Sequence, residues 1–366
     1  MPGVAPLEVA GRGAGQPPPL RLHDVTVGLL LLLGLASAGV AGACARSSVP
    51  GVVTVRLGYF PNITHSQAIM GMADGTFARA LGSTATVQAR VFNAGPSVIE
   101  ALFAGQIDLA YIGPNPAING YVRSNGRALR IVAGATSGGA ALVVRGDAPI
   151  RRPADFRGAR VASPQIGNTQ DVALRSWLKQ QGLELRERGG TTQVIPVANP
   201  DILTLFQKKE LDAAWVPEPW AARLVHEAGG RIFLDERTLW PDGRFVTAHV
   251  IARTAFLDAH PDVVERFLEA HIDLTRRVAD DPSGAKLAVN AGIERLTGRG
   301  FAQAVLDDAW SRMTVTWDPI PASLRRSADA AFELGFLGDT RPNLEGIYDL
   351  RLLNAVLQRK GLGIIR

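Results

Sequence analysis

The chain has a single cysteine, Cys44, among its 366 residues, so a disulfide bond within the chain is excluded. A zinc site made of several cysteines is excluded for the same reason. The six histidines are scattered and none pair at the spacing of metal ligands, so we expect no metal and no cofactor. The sequence also has no Gly-x-Ser-x-Gly, no phosphate-binding loop with Gly-Lys-Ser/Thr and no His-Glu-x-x-His. These absences argue against an enzyme.

Charge and aromatic residues are present only in modest amounts. The chain has 39 Lys and Arg against 34 Asp and Glu, a net charge of +5, and 6% aromatic residues. No dense run of basic residues interleaved with aromatics occurs, so we expect no nucleic-acid partner. A hydrophobic content of 46% over 366 residues is ample for two packed domains.

The amino-terminal region has the features of an export signal. Arg21 precedes an apolar run over 25–36, and small residues follow as far as Cys44. A basic residue, a short apolar core and an Ala-x-Ala site are typical of secretory signals. A permanent membrane span would need about 20 apolar residues. We therefore expect a signal or lipoprotein segment over 1–44 and a linker over 45–51.

Cys44 directly follows Ala-Gly-Ala, which resembles the lipobox of bacterial lipoproteins. That pattern prefers leucine where Ala41 stands, and Ala-Gly-Ala would equally suit an ordinary signal peptidase. A diacylglycerol on Cys44 would tether the folded part to the membrane. We expect an exported protein, in the periplasm or lipid-anchored at the outer face of the cytoplasmic membrane. An incidental cysteine in a signal tail is the alternative.

After residue 51, apolar strands alternate with amphipathic helices, which predicts an α/β fold with parallel sheets. We expect a first lobe over 52–147 with 250–366, and a second lobe over 148–249. Strands are predicted over 52–57, 86–92, 107–112, 130–133, 141–144, 160–162, 193–197 and 245–251. Helices are predicted over 66–74, 96–104, 115–124, 169–180, 200–208, 254–259, 261–279, 283–296, 301–311, 322–335 and 349–359. The helices after residue 254 should pack on the first lobe and brace the hinge.

One strand-loop-helix unit occurs twice, over 102–116 and 205–219, about 100 residues apart. Each copy has Leu-Phe, an Asp, an apolar strand and then Pro-x-Pro, and proline suits the first turn of a helix. The unit places a polar side chain, Asn115 or Glu218, between a strand end and a helix start. In open α/β sheets ligands bind at such points, so the repeat predicts two similar lobes facing one cleft.

Six loops of small and polar residues lie between predicted strands and helices. The amino end of a helix offers free N–H groups and partial positive charge, so such loops can bind an anion without a basic side chain. None of the loops contains lysine or arginine, and a small oxyanion such as a sulfonate would suit them. The loops are 58–65, 93–97, 113–116, 136–140, 165–169 and 217–220.

Three side chains around the second Pro-x-Pro allow more than one interpretation. The indoles of Trp215 and Trp220 could flank an organic group in the cleft, or at least one of them could belong to the core. Glu218 would repel an anion. It could instead receive an ammonium or amide group, or form a hydrogen bond between lobes that holds the closed state.

Four motifs together resemble the substrate-binding proteins of ABC importers. They are Gly58-Tyr59-Phe60-Pro61-Asn62 with His65, the stretch 101–116, the stretch 167–171 and the stretch 215–220. The resemblance is closest to the aliphatic-sulfonate, nitrate and taurine type, which is related to binders of thiamine-pyrimidine precursors. It covers most of residues 52–280.

The resemblance implies a two-lobed periplasmic-binding-protein fold of type II, with two hinge-crossing strands and a helical carboxyl-terminal extension on the first lobe. It also implies a monomer that closes on a ligand between the lobes and delivers it to a permease with its ATPase. Together with Trp215, the positions expected in the cleft are Asn62, His65, Ser97, Asn115, Ser137, Asn168, Thr169 and Glu218.

Two other functions remain open from the sequence. Some relatives synthesise the thiamine pyrimidine with a histidine and iron, but His65 is the only histidine in the cleft loops. A ligand-sensing protein is the second alternative. The sequence also leaves the ligand open among alkanesulfonates, taurine, nitrate, bicarbonate and a pyrimidine.

Overall fold

The structure is a computed structural model that describes residues 51–365. The predicted export signal, the linker up to residue 50 and Cys44 therefore lie outside the described residues. The strands are β1 (Val53–Tyr59), β2 (Ala85–Val91), β3 (Leu109–Ile112), β4 (Leu129–Gly138), β5 (Ala140–Arg145), β6 (Arg160–Ser163), β7 (Gln193–Pro196), β8 (Ala213–Pro217), β9 (Gly230–Asp235), β10 (Val246–Arg253) and β11 (Met313–Val315).

Thirteen α-helices occur in the same range. They are α1 (Ser66–Ala73), α2 (Thr76–Leu81), α3 (Gly95–Phe103), α4 (Pro114–Arg123), α5 (Thr169–Gln180), α6 (Asn199–Gln207), α7 (Trp220–Ala228), α8 (Thr254–Ala259), α9 (Pro261–Asp280), α10 (Pro282–Thr297), α11 (Gln303–Ser311), α12 (Pro321–Glu333) and α13 (Arg351–Arg359). No helix between residues 51 and 365 combines the length and the apolar character that a membrane crossing requires.

The strands form two sheets, and both are mixed. Strand β10 runs antiparallel to β3 and β4, and β5 runs antiparallel to β8 and β9, so the predicted parallel pairing holds for only part of each sheet. The larger sheet has the order β11-β4-β10-β3-β1-β2, and the smaller has the order β7-β6-β8-β5-β9. Within them β1 pairs parallel with β2 and β3, and β6 pairs parallel with β7 and β8. We call the larger sheet and its helices the first lobe, and the smaller sheet and its helices the second lobe.

The chain passes between the two sheets twice. The first passage is at Gly138 and Gly139, whose φ angles are 72° and 77°. Such positive φ angles disfavour a residue with a Cβ, so glycine fits this turn. The second passage lies between β9 and β10. The lobe bounds at 147/148 and 249/250 stay a prediction, although β5 already pairs within the smaller sheet.

The two copies of the repeated unit adopt the same local structure. In the first copy, Asp108 accepts a hydrogen bond from the backbone N–H of Arg56 and forms an ion pair with that guanidinium. In the second copy, Asp212 does the same with Arg160. In both cases the arginine lies on the parallel strand beside the unit. The shared aspartate of the repeat therefore ties two neighbouring strands together at one end of each sheet.

The carboxyl-terminal helices pack on the first lobe, and two of them also contact the second. Helix α9 packs on α1, α2 and α13, whereas α11 contacts α7 and α12 contacts α5. The predicted apolar face of α9, which includes Phe267 and His271, is buried. His271 is a core residue, since Nδ1 lies 2.8 Å from the Tyr111 hydroxyl and Nε2 lies 2.9 Å from the carbonyl oxygen of Gly134.

The predicted helix ranges lie within two residues of those observed. Helix α7, of which the repeated unit predicts only the start, and three short elements were not among the predicted ranges. Helix α2 has six residues and follows a glycine, β9 is an edge strand and β11 has three residues. Short elements bury little apolar surface of their own, so their sequences carry a weak periodic pattern. Strand β4 also runs further than predicted, as far as Gly138.

Candidate functional site

A narrow cavity lies between the two lobes, where strand ends and helix starts from both lobes meet. Its volume is about 30 Å³, which is enough for only one or two water molecules. Small-ligand sites measure about 300–1,000 Å³, so the space between the lobes is smaller than such a site. Its walls are formed by Phe60, Asn62, Thr64, His65, Asn93, Ala94, Gly95, Gly113, Pro116, Pro164, Asn168, Thr169, Gln170, Asn199, Pro217 and Thr247.

Four helices begin at this cavity. Gly95 starts α3, Gly113 precedes α4, Asn168 precedes α5 and Asn199 starts α6. The Asn168 side chain caps its helix, because Oδ1 accepts a hydrogen bond of 2.8 Å from the N–H of Asp171. The positive ends of four helix dipoles therefore converge on one small space.

The residues that line the cavity carry no formal charge. In the described part of the chain the lining contains no lysine, arginine, aspartate or glutamate, and its polar side chains are asparagine, threonine, glutamine and one histidine. The positive potential therefore comes from backbone N–H groups and helix ends, which can stabilise an anion without a counter-charge on a side chain.

His65 is the only histidine in the lining, and it is a neutral donor. Burial lowers the pKa of its imidazole to about 3. Its Nδ1 accepts a hydrogen bond of 3.1 Å from the N–H of Phe60, which fixes the tautomer so that Nε2 carries the proton. The Phe60 ring stacks on the imidazole at 4.5 Å between centroids and holds its orientation.

Two buried polar atoms of the lining have no hydrogen-bond partner within residues 51–365. They are the hydroxyl oxygen of Thr169 and the side-chain oxygen of Asn199. Burying a polar group without a partner costs about 1–3 kcal/mol. Both residues belong to the second lobe, so this lobe presents unused hydrogen-bonding capacity toward the cleft.

Hydrogen bonds also join the lobes directly. The indole N–H of Trp220 donates to Oδ1 of Asn62 over 2.9 Å, and both side chains are buried. Asn62 follows β1 in the first lobe, and Trp220 starts α7 in the second. Asn62 therefore contributes to the cleft wall while it links the two lobes.

Glu218 lies away from the cavity and is paired with a cation. Its Oε1 accepts a hydrogen bond of 2.5 Å from Nε of Arg312, and its Oε2 accepts one of 3.0 Å from the N–H of Ala222. Burial raises the pKa of this carboxyl, and Arg312 opposes that shift. Of the two roles considered for Glu218, the observed pairing matches the contact between lobes.

The structure does not bring four other predicted residues to the cavity. Trp215 lies in the core of the second lobe, where its indole N–H donates to Glu236 over 2.8 Å, and of the two interpretations of the indoles this position matches the core. Ser97 is exposed on α3, and Ser137 lines a groove beside Arg237 and Thr314. Asn115 follows Pro114 in the first turn of α4. There it is buried and its side chain donates to the carbonyl oxygen of Ser327.

Two polar lining residues lie outside every loop and motif that the sequence singled out. Asn199 lies between a predicted strand and a predicted helix, which is the same signal that identified the other loops. Thr247 lies within a strand that was predicted to cross between lobes. Nothing in the sequence marks this threonine, since only the pairing of β10 brings it to the cleft.

Within residues 51–365, no three histidine, cysteine, aspartate or glutamate side chains gather as a metal ion would require. The donor set of the cavity consists of neutral nitrogen and hydroxyl groups. It favours an anion or a neutral polar ligand.

Comparison with solved structures shows the same two-lobed fold. The alkanesulfonate-binding protein SsuA of Xanthomonas axonopodis pv. citri, bound to MOPS, superposes with a TM-score of 0.67 at 18% identity, over 83% of this chain and 100% of that one. The periplasmic nitrate-binding protein NrtA of Synechocystis PCC 6803 gives 0.65 at 16% identity, over 85% and 90%. The predicted periplasmic-binding-protein fold with its helical extension is thereby confirmed.

Sequence comparison gives relatives that are also named as binding proteins. The taurine-binding periplasmic protein of Escherichia coli strain K12 is 28% identical over 198 residues, which are 54% of this chain and 58% of that protein. The chain spans about half the length of the curated relatives it matches. A family model described as the NMT1-like family matches residues 48–291. That match covers more than half of the sequence, so the chain belongs to the NMT1-like family.

Proposed function

We propose that this protein is the extracytoplasmic solute-binding component of an ABC importer, and that it binds a small oxyanion such as an aliphatic sulfonate between its lobes. One observation carries the proposal: a cavity between the lobes has no charged side chain in its lining, and four helices start at it. Such a site suits an anion that must be held firmly and released again.

The chemistry of recognition follows from the donors. Nε2–H of His65 and the hydroxyl of Thr169 are neutral, and they come from opposite lobes. A tetrahedral oxyanion has several acceptor oxygens, so it can accept from both lobes at once. We propose Asn62, His65, Asn168 and Thr169 as ligand-binding residues, with Asn199 added from the structure.

The class of ligand is supported by what the relatives bind. Their names give taurine, alkanesulfonate and nitrate, all of which are small oxyanions or carry one. We propose a sulfonate because two of these three proteins are named for sulfonates, taurine and alkanesulfonate. The protein acts by binding and not by catalysis in this proposal, and its partners are a permease and an ATPase.

Closure of the lobes is the proposed mode of action. A ligand that contacts both lobes stabilises the closed state by its differential contacts with that state. The permease would then sense closure through the rims of the two lobes. Lipid anchoring at Cys44, outside the described residues, is proposed from the sequence. Replacing Cys44 with alanine should then release the protein from the membrane fraction.

A thermal-shift screen of the purified protein tests the ligand. The compounds are alkanesulfonates, taurine, nitrate, bicarbonate and a pyrimidine. A compound that binds only the native state raises the melting temperature by an amount that grows with its concentration. We expect a shift with alkanesulfonates, and a shift with the pyrimidine alone would overturn the proposal.

Matched variants test the site. Thr169→Val keeps the shape of the side chain and removes its hydroxyl, so it should weaken sulfonate binding about tenfold or more. Ser97→Ala removes an exposed hydroxyl on α3 outside the cavity and should leave binding unchanged. Equal losses in both variants, or no loss in the Thr169 variant, would place the ligand elsewhere.

A further inference from the structure

A second cavity, of about 210 Å³, lies between the lobes beside the first one. It is enclosed by α5 and the segment 236–240 of the second lobe, by the start of β10 and by α12 of the extension. Thr169 lines both cavities, and its buried hydroxyl oxygen has no partner within residues 51–365. This unused hydroxyl stands between the two spaces.

Glu236 is the distinctive side chain of the second cavity. Its residue is 2% exposed, and Oε2 accepts a hydrogen bond of 2.8 Å from the indole N–H of Trp215. Among residues 51–365 it has no ion pair with lysine, arginine or histidine, whereas the carboxylates of Asp329 and Glu333 at the same cavity are paired with Arg341 and Lys179. Burial without a counter-charge raises the pKa of Glu236 to about 7.

The charged form of a buried carboxyl is unfavourable when no cation lies near it. An ionised carboxylate that leaves water is stabilised again only when it is paired. Glu236 meets indole N–H groups but no positive charge in the described part of the chain. A ligand that carries a positive charge would supply the missing partner.

The walls of this cavity are suited to a cation as well. Trp177, Trp240 and Phe245 line it, and the rings of Trp240 and Phe245 stack at 5.3 Å between centroids. The faces of aromatic rings attract ammonium groups. The guanidinium of Arg326 lies 4.7 Å from the Trp240 centroid and Phe245 stacks on the same indole, so Trp240 already holds a cation of the protein itself and Glu236 carries the recognition of a ligand cation.

The lining of the second cavity has more acidic than basic side chains. Glu236, Asp329 and Glu333 are acidic, and Arg326 is the one basic residue among the lining residues. The first cavity, in contrast, has no charged side chain and four helix amino ends. Two neighbouring cavities between the same lobes thus favour ligand groups of opposite charge.

We propose that the second cavity binds an organic ammonium group, with Glu236 as its counter-charge and the aromatic rings as its walls. The ammonium group comes either from a separate amine or from the amino end of the oxyanion ligand itself. The second source rests on the proposed function, since the oxyanion must then lie in the first cavity. Both sources use the same chemistry at Glu236.

Calorimetric titration of the full chain with three probes separates these sources. The probes are propanesulfonate, 3-aminopropanesulfonate and propylamine. If the ammonium belongs to the oxyanion ligand, the aminosulfonate should bind at least tenfold more tightly than propanesulfonate. If it is a separate amine, propylamine should bind by itself and should still bind when propanesulfonate is present.

Variants of the carboxyl test the assignment. Glu236→Gln keeps the acceptor for the Trp215 indole and removes the charge, so it should abolish the tenfold preference or the propylamine binding and leave the propanesulfonate affinity within about twofold. Glu333→Gln makes the same chemical change at a carboxylate that is already paired, and it should alter neither. Ala330→Leu narrows the cavity from α12 and should also abolish ammonium binding.

The titrations can refute the ammonium site and the oxyanion site independently. If propanesulfonate binds but no probe gains from an ammonium group, or if Glu236→Gln retains the gain, the ammonium site is refuted and the oxyanion site stands. If no sulfonate binds while propylamine binds in a manner that depends on Glu236, the oxyanion proposal fails and the ammonium site stands.

Discussion

Nε of Arg312 donates to Oε1 of Glu218 over 2.5 Å, and this ion pair joins the extension to the second lobe. Glu218 follows β8, whereas Arg312 directly precedes β11, which pairs with β4 of the larger sheet. The Glu218 side chain is fully buried and that of Arg312 is 9% exposed. The pair therefore acts inside the protein, where solvent screens it little.

Breaking this pair should destabilise the protein. Arg312→Met leaves Glu218 buried without a cation, and such losses cost about 3–5 kcal/mol. Urea unfolding measures the change. Arg123→Met removes an exposed pair with Glu100 and should cost less than about 1 kcal/mol. Equal losses of unfolding free energy in the two variants would contradict the expectation that the buried ion pair contributes more than the exposed one.

A methyl group at Gly113 should prevent closure of the lobes. Gly113 has φ of −69°, which any residue can adopt, but a Cβ there would lie 2.2 Å from Oγ1 of Thr169 across the cleft. Gly113→Ala should therefore weaken ligand binding at least tenfold, about 1.4 kcal/mol, and enlarge the radius of gyration in small-angle scattering.

Two further variants define the cause of that effect. Thr169→Ala combined with Gly113→Ala should restore the compact state, because the colliding hydroxyl is gone. Gly363→Ala places a methyl group where no non-neighbouring atom of residues 51–365 lies within 4 Å, and it should change neither binding nor compactness. Failure of the double variant to become compact would show that Gly113 matters for another reason.

His271 should make the protein less stable in acid. Burial lowers its folded-state pKa to about 4 from 6.5, so below pH 6.5 the unfolded chain binds a proton that the folded one does not. This contribution is complete above pH 6.5 and is lost as the pH falls, by about 2 kcal/mol at pH 5. His271→Gln lacks this dependence, so its deficit against wild type in urea unfolding should shrink between pH 7 and pH 5.

Glu236 should give the protein a stability that falls as the pH rises, opposite to the effect of His271. Burial raises its folded-state pKa from 4.5 to about 7, so the stability it contributes is present below pH 4.5 and is lost as the pH rises to about 7. The charged groups around it are Asp235, Arg326, Asp329 and Glu333. Glu236→Gln should thus be more stable than wild type at pH 8, by about 1–3 kcal/mol. A less stable variant at pH 8 would contradict this expectation.

Sequence patterns predicted the fold class, most helices and the repeated unit. These features depend on local periodicity and on short motifs, which any window of the chain displays. The repeat contains Asp108 and Asp212, and in the structure each accepts a hydrogen bond from a backbone N–H of the neighbouring strand. The loops at strand ends also identified Asn62, His65, Asn168 and Thr169, which line the cavity.

The sequence by itself determined that two similar α/β units exist and that their strand-end loops carry neutral donors. Tertiary structure alone decided which donors meet. Thr247 reaches the cleft through strand pairing, Trp215 lies in the core, and Glu236 meets no cation among residues 51–365. Residues such as Glu218 and Arg312 are far apart in the chain, and no local pattern encodes a contact that forms only when the extension packs against both lobes.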